Sequence, residues 1–337
     1  MKIALIADTH FNEPYAFASV DKYGVNSRFA NQMSVWDIIP QDTDILVHLG
    51  DLFNSKFRLN RQIYDRVFDS FNKAPGDYKI FVLGNHDYYS FHKEPTLSPF
   101  REICSMCVHR YVHMDIGGVR FHCIRYPALP KHFFEDVDMA VENLGSGVNI
   151  LLAHVGVAEA SIGPLQLNLS LSDTVHISEL RYKHFDYIFL GHYHKHQQLA
   201  NNVWYIGSPL QLSFSERNEA KGIMTLDTDN GKLEFVQNTV APRFHVIKIT
   251  NPKQLAKMVL NDKDFYRLEL ECQVSRSILD NTTKDKNVSI EGGIVEKREI
   301  RLKEGISPQE IISEYVDIMK PDLDKEVTIK EGLRWLV

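Results

Sequence analysis

Asp8 and His10 stand two residues apart at the end of an apolar run, Ile3–Ala7. On an extended chain both side chains leave the same face and can converge on one ion. Four more apolar runs stop in the same manner. Ile45–Leu49 stops at Gly50-Asp51, Ile80–Leu83 at Gly84-Asn85-His86-Asp87, Ile150–Ala153 at His154, and Tyr187–Leu190 at Gly191-His192-Tyr193-His194. Each stop delivers a carboxylate, an amide oxygen or an imidazole, which are the donors that bind divalent cations. Asp51, with two carboxylate oxygens, can bridge two ions ~3.5–4 Å apart. The GNHD turn adds a titratable imidazole, His86. Taken singly, every piece has an ordinary structural reading. A Gly-Asp pair is usually a turn, GNHD can be an Asx turn, and a His ending an apolar run is more often a bonded core residue, the reading given to His48 and His122. Five run ends in one chain, all carrying metal-type donors, exceed what packing alone asks for.

These residues must be positioned by the runs that precede them. Short, nearly continuous apolar runs read as strands buried on both faces, with helical stretches at Ser27–Ile39 and Arg61–Asn72 between them. In such sheets ligands collect beyond the carboxyl ends of the strands. After residue 240 the pattern changes to β-α-β through Phe244–Ile249, Pro252–Leu260 and Phe265–Cys272, a second and smaller unit. Residues 279–287 (LDNTTKDKN) read as an exposed loop, and Val288–Lys303 as strand-like around Gly292-Gly293. Ser307-Pro308-Gln309-Glu310 is a capping box with Pro at the first helical position, so a helix starts there. Ile311, Ile312, Tyr315, Val316 and Met319 give that helix an apolar face. A second, weaker amphipathic stretch ends in Leu333, Trp335, Leu336 and Val337, bulky residues that call for cover.

Composition bounds what the chain can be. With 337 residues, 44% of them hydrophobic, it can bury the core of one large domain plus one or two small ones. A net charge of −6 argues against a surface covered in phosphate contacts, but it leaves room for a local groove. Lys56, Arg58 and Arg61, just after Gly50-Asp51, and Lys195, just after His194, are either a solvated face or contacts to DNA. The four cysteines are too few and scattered for a disulfide framework. Cys104 and Cys107 have CxxC spacing without a second pair, and read as a packed or surface thiol pair. The start does not look like a signal peptide, and no apolar run approaches the ~18 residues of a membrane span, so the expected location is the cytoplasm.

The ordered set DxH, GD, GNHD, H and GHxH resembles the calcineurin-like metallophosphoesterase superfamily, from residue 1 to about 215. Tyr205–Phe214 (YIGSPLQLSF) and the nearby Lys221-Gly222 further resemble the segment that follows GHxH in SbcD and its archaeal, eukaryotic and phage relatives, nucleases that pair with an SMC-like ATPase. The resemblance implies an α/β fold, a four-layered α-β-β-α sandwich with two mixed sheets over residues 1–240. It adds a small α/β capping domain at 241–303 and a C-terminal helical segment at 304–337 that binds the SbcC-type ATPase, in a complex containing a homodimer. One ion would lie between Asp8, His10, Asp51 and His194, the other between Asp51, Asn85, His154 and His192. His86 resembles the family's catalytic histidine, which contacts the scissile phosphate, and Asp87 would orient that imidazole or its turn. Where some members carry a supporting His three residues after the bridging aspartate, this chain has Asn54.

Two divalent ions set against Asp8, Asp51 and a bridging hydroxide leave the site net positive, which suits a phosphodiester. Imidazoles mixed with oxygen donors suit manganese, iron or zinc better than magnesium, and the resemblance picks manganese. The implied activity is a manganese-dependent DNA exonuclease, with endonuclease activity left open, in an SbcCD-type repair or recombination complex. The alternatives are a small-molecule or protein phosphoesterase of the same superfamily, and a scaffold that binds DNA and an ATPase without cutting.

Overall fold

A computed structural model describes residues 1–88, 97–107, 109–161, 174–284, 286–292, 307, 309–310, 312–313 and 325–334. The chain opens with β1 (Lys2–Ile6), a strand buried at every position after its first. α1 (Ser27–Met33) follows, capped by the Asn26 side chain, which accepts from the Arg28 and Phe29 nitrogens, and it runs on as a 3-10 turn through Ile38. β2 (Ile45–His48) is entirely buried. α2 (Arg61–Lys73) starts at the Asn60 cap and buries Ile63, Val67 and Phe71, one residue per turn on a single stripe. β3 (Tyr78–Val82) and β4 (Ser105–Cys107) complete a parallel run β1-β2-β3-β4.

The chain then builds a second sheet from β5 (Tyr111–Ile116), β6 (Val119–Ile124) and, after α3 (Pro130–Glu142), β7 (Val148–His154). A short pair, β8 (Gly156–Val157) and β9 (Thr174–Val175), intervenes before β10 (Tyr187–Gly191), β11 (Gln197–Ala200) and β12 (Val203–Tyr205). Its order is β11-β12-β10-β7-β6-β5, with both outer strands antiparallel to their neighbours. β13 (Gly222–Asp227) and β14 (Lys232–Gln237) return to the first sheet, where β13 lies antiparallel to β1 and gives the order β14-β13-β1-β2-β3-β4.

Both sheets are therefore mixed, and three apolar clusters show how they stack. The inner faces meet through Leu5, Val47, Ile80 and Val82 from one sheet and Phe121, Ile150, Leu152 and Phe189 from the other. The outer face of the first sheet packs against α1 and α2 through Phe29, Trp36, Val67 and Phe71. That of the second packs against α3 through Phe133 and Val137. The result is a helix-sheet-sheet-helix sandwich of the expected class. Its parallel strands, buried on both faces, have the continuous apolar sequences that such burial requires.

A third sheet stands beside it, with β15 (Phe244–Ile249), β16 (Phe265–Leu270) and β17 (Asn287–Gly292) all parallel. α4 (Lys253–Ala256) and α5 (Arg276–Thr283) cover it, and Ile249, Leu255, Leu268, Leu270 and Leu279 form its own core. The expectation of an exposed loop at 279–287 fails for its first half. Leu279 is buried, while the Thr282 and Thr283 hydroxyls donate to the carbonyls four residues earlier, so the polar run is the outer side of a helix. The strand-like segment expected through Lys303 forms as far as Gly292, and the remainder lies outside the described residues.

In the C-terminal segment, the Ser307 nitrogen donates to Glu310 Oε2 at 2.9 Å and the Glu310 nitrogen to Ser307 Oγ at 3.3 Å, the reciprocal bonds of a capping box. A further helix spans Lys325–Arg334. Ile311, Tyr315, Val316, Met319 and the final three residues lie outside the described set. Among the described residues no helix is long and apolar enough to cross a membrane.

Candidate metal centre

The carboxyl ends of β1, β2 and β3 in one sheet and of β7 and β10 in the other open at a common edge, where all seven expected ligands stand. The chain turns sharply at each end. Asp8, His10, Asp51 and His192 hold φ values of 51°, 46°, 55° and 105°, a region that side-chain-bearing residues enter at a cost on the order of 1–3 kcal/mol each. Backbone hydrogen bonds keep the first two loops zipped beyond their strands, with the His10 nitrogen on Asp51 O at 3.0 Å and the Phe11 nitrogen on Leu52 O at 2.9 Å. Such over-determination is what allows four strained residues to persist.

The side chains meet in two groups around Asp51. On one side, His10 Nε2 faces His194 Nε2 at 3.1 Å and Asp51 Oδ2 at 3.5 Å, and donor atoms of Asp8, His10 and His194 lie within 4.8 Å of one another. On the other, Asn85 Oδ1 lies 3.2 Å from His154 Nε2 and 3.1 Å from His192 Nδ1, while Asp51 Oδ2 stands 3.6 Å from His154 Nε2. Asp8 also accepts from the His192 nitrogen at 3.1 Å to each oxygen, tying the first strand end to the last. His86 converges on the same corner, its ring edge-on to His10 at 4.8 Å between centroids.

Whether divalent ions fit is decided by where the ring protons must be. His154 Nδ1 lies 2.6 Å from Leu49 O, and His86 Nδ1 lies 2.6 Å from Asn54 O. A carbonyl can only accept, so both Nδ1 atoms carry hydrogen and each ring turns its Nε2 toward the centre. The His194 Nδ1 likewise donates to Glu216 Oε1 at 2.8 Å. The Nε2 atoms of His154 and His194 thus face inward beside the Asp8 and Asp51 carboxylates, and the buried His10 Nδ1 has no partner among the described residues. Acceptors packed against acceptors are stabilised by cations placed between them. The donor set fits two divalent ions.

Charge at the centre follows burial. Burial opposes ionisation of Asp51, but the surrounding His154, His10 and His86 imidazoles outweigh it and hold the carboxyl below its usual range. Asp8 is pushed up to about 6 by burial, partly offset by His154 and His194. Burial drives His192 down to about 3, leaving it the neutral imidazole a ligand must be.

Several supports had no sequence signal. Asn54 supplies its backbone carbonyl to His86, so its side chain is not needed for that contact. Asp87 accepts from the Gly84, Asp51 and Leu52 nitrogens, which makes it the clasp between two turns and not a partner of the His86 ring in these bonds. His48 is buried and bonded at both nitrogens, accepting from the Gly50 nitrogen and donating to Thr9, whose hydroxyl passes on to Leu52 O. His122 is also a bonded core residue, against Tyr111 and Asn149. Cys104 donates to Phe100 O, and burial pushes its thiol up to about 12; among the described residues no cysteine joins a ligand cluster.

The four expected DNA-contacting cations lie on the loop after Asp51, at the start of α2 and directly after His194. Lys56 is half-buried on the loop leaving Asn54, while Arg58 and Arg61 are exposed, Arg61 facing Asp65 at 3.7 Å. Lys195 donates to Ser161 Oγ at 3.2 Å.

The family model for calcineurin-like phosphoesterases matches residues 1–196, more than half of the chain and all five ligand-bearing strand ends. The chain belongs to this family. As a calcineurin-like phosphoesterase it is a metal-dependent hydrolase of phosphate esters, and its Asp/His clusters can hold two divalent ions. Among solved structures it is similar to a purple acid phosphatase from yellow lupin (Lupinus luteus) seeds, at 13% identity and a TM-score of 0.41 over 70% of this chain. The match spans about half (52%) of the lupin enzyme. It is also similar to an archaeal phosphodiesterase, at 14% identity and a TM-score of 0.34 over 71% of this chain and 100% of the other. A protein of unknown function from Aquifex aeolicus matches at 16% identity and a TM-score of 0.31, over 61% of this chain and 89% of that one.

Proposed function

We propose that this phosphoesterase is a manganese-dependent nuclease that hydrolyses phosphodiester bonds in DNA, as the nuclease subunit of an SbcCD-type complex. The observation that carries the reading is where the nuclease-like segment sits. Tyr205–Phe214, which resembles the segment that follows GHxH in SbcD-type proteins, runs beside the candidate metal centre. Its Ser208 nitrogen donates to His194 O at 3.0 Å, and its Ile206 nitrogen to Leu190 O at 3.0 Å. Lys56 and Arg58 lie on the loop that follows Asp51, Arg61 begins α2, and Lys195 directly follows His194, positions from which cations would meet phosphates flanking the scissile bond.

Bound ions supply positive charge for the phosphodiester anion and a water of lowered pKa. The chain's residues do the rest. Asp8, His10, Asp51 and His194 would hold one ion, and Asp51, Asn85, His154 and His192 the other. His86, its Nδ1–H held by Asn54 O, presents Nε2 to the substrate, where a proton on that nitrogen can pass to the departing oxygen. The 304–337 segment docks the ATPase partner, and the complex contains two copies of this chain.

The test is digestion of linear DNA with manganese, with and without a co-purified ATPase, beside hydrolysis of a nucleotide phosphodiester. Manganese-dependent loss of DNA supports the reading. Turnover of the small ester alone would favour a small-molecule phosphoesterase, and turnover of neither by a metal-loaded protein would favour a scaffold.

A further inference from the structure

Behind His194, on the side away from the ions, lies a buried ionic cluster to which the ligand set assigns no role. Glu216 sits in a 3-10 turn, Phe214–Glu216, and is buried despite its charge. Its Oε1 accepts from His194 Nδ1 at 2.8 Å, while its Oε2 accepts from the Leu212 nitrogen at 2.9 Å and pairs with Lys221 Nζ at 3.1 Å. Lys221 is buried too. Its ammonium donates to His194 O at 2.7 Å, Ser208 Oγ at 2.9 Å and Glu219 Oε2 at 2.8 Å.

A buried ion pair is seldom a net source of stability, because desolvation opposes its Coulomb gain. Its retention here calls for another use, and the geometry supplies one. Both partners grip the same residue, Glu216 by the ring and Lys221 by the backbone oxygen. The carboxylate can only accept, so the His194 proton is confined to Nδ1, and Nε2 is left as a lone pair aimed at the position shared with His10 Nε2, 3.1 Å away. With both of its oxygens engaged on protein donors, Glu216 is not placed to be a ligand itself.

We propose that Glu216, braced by Lys221, is a positioning residue that fixes the tautomer and angle of His194 and so sets the affinity of the metal site His194 shares with Asp8 and His10. The assignment rests on the two-metal reading of the centre. Carboxylates behind metal-binding histidines raise ligand basicity and hold the ring, and their loss typically weakens metal binding about 10- to 100-fold. The effect is one-sided: His154 takes its orientation from Leu49 O and does not touch Glu216.

The test is manganese titration of the metal-stripped full chain, followed by calorimetry, for wild type, Glu216→Ala, Glu216→Gln and a control, Glu219→Gln, which alters Lys221 without touching His194. Wild type should show two binding events. Glu216→Ala should weaken one by about 10- to 100-fold and leave the other within about threefold. Glu216→Gln retains an acceptor oxygen and should recover part of the loss, while the Glu219 control should keep both affinities. The melting temperature of the metal-free variants separates positioning from scaffolding. Equal loss at both sites in step with a lower melting temperature overturns the proposal, as do two unchanged affinities. If Glu216→Ala fails to fold, Glu216→Gln/Lys221→Met, which leaves no charge of the pair buried alone, carries the same comparison. Hydrolysis of a phosphodiester by wild type with unchanged affinities in the variants rejects this assignment alone, whereas a wild type without two sites rejects the two-metal reading and the assignment together.

Discussion

His86 and Asp51 do different work within one hydrogen bond of each other, since the His86 nitrogen donates to Asp51 Oδ1 at 2.8 Å. Replacing His86 with Ala removes the imidazole but keeps that backbone bond. Both metals should stay bound, as elemental analysis would report, while hydrolysis falls about 10²- to 10⁴-fold, the usual contribution of a general acid or base. Near-normal turnover would exclude the role, and metal loss would make His86 a ligand. Asn54→Ala is the matched control. The acceptor for His86 Nδ1 is the main-chain oxygen, so activity should stay within about threefold, as exposed substitutions usually do. Asp51→Asn should disturb both ions together, because one carboxylate stands against both groups of ligands. Two undisturbed manganese sites in that variant would refute the ligand map. At this scale the residues that the structure brings together were legible and their supports were not. Asp8 or His194 announces itself by residue type, whereas Leu49 O and Asn54 O are carbonyls that every residue carries.

Strands and turns account for the second part of the site. The five strand ends could be read because burial on both faces leaves an uninterrupted apolar run that stops where the chain reaches solvent. Strand order was not readable: β13 pairs with β1 across more than two hundred residues, and no local pattern encodes that partner. The left-handed backbone at Asp8, His10, Asp51 and His192 was also hidden, since side-chain-bearing residues rarely adopt it and local preference argues against it. α5 was missed for a third reason, its polar residues masking a single buried stripe. The glycines of the motifs record how closely these turns approach. A Cβ on Gly84 would lie 2.6 Å from the Asp51 nitrogen and 2.7 Å from His154 Cε1, so the β3 turn can reach the other two strand ends only without one. Gly84→Ala should push the bridging carboxylate and an imidazole apart, and a displacement near 1 Å can cost about 10²-fold in rate. Activity and manganese titration of this variant would check it. Wild-type values in both would mean that the turns have room to spare.

Across the whole molecule, the third sheet and the metal centre share one short element. Phe214 packs its ring 4.8 Å from Phe244 of β15 and lies under Arg267 of β16, while Glu216, two residues on, holds His194. The Phe244 nitrogen also donates to Gln211 Oε1 at 2.7 Å, so the sheet is pinned to the segment that walls the site. The segment at 304–337 opens on the bonds between Ser307 and Glu310. Its capping box satisfies orphan backbone donors at the start of a helix, which favours the turn but contributes only about 0.5–2 kcal/mol. A helix of ten residues, as at Lys325–Arg334, is marginal alone in water and needs an apolar face covered. The sequence provides such a face in Ile311, Ile312, Tyr315, Val316 and Met319 and a second in Leu333, Trp335, Leu336 and Val337, which suits a helix-in-groove contact with the proposed ATPase partner. Deleting residues 304–337 should therefore leave manganese binding and basal hydrolysis near wild type, because the proposed ligands and the supports described for them, the third sheet's contacts with Gln211 and Phe214 included, all precede residue 304. The same deletion should abolish co-purification with the ATPase and any ATP-stimulated digestion. A truncated chain that still co-purifies would move the interface to another surface, and one that loses its metals would show that the segment packs on its own catalytic domain.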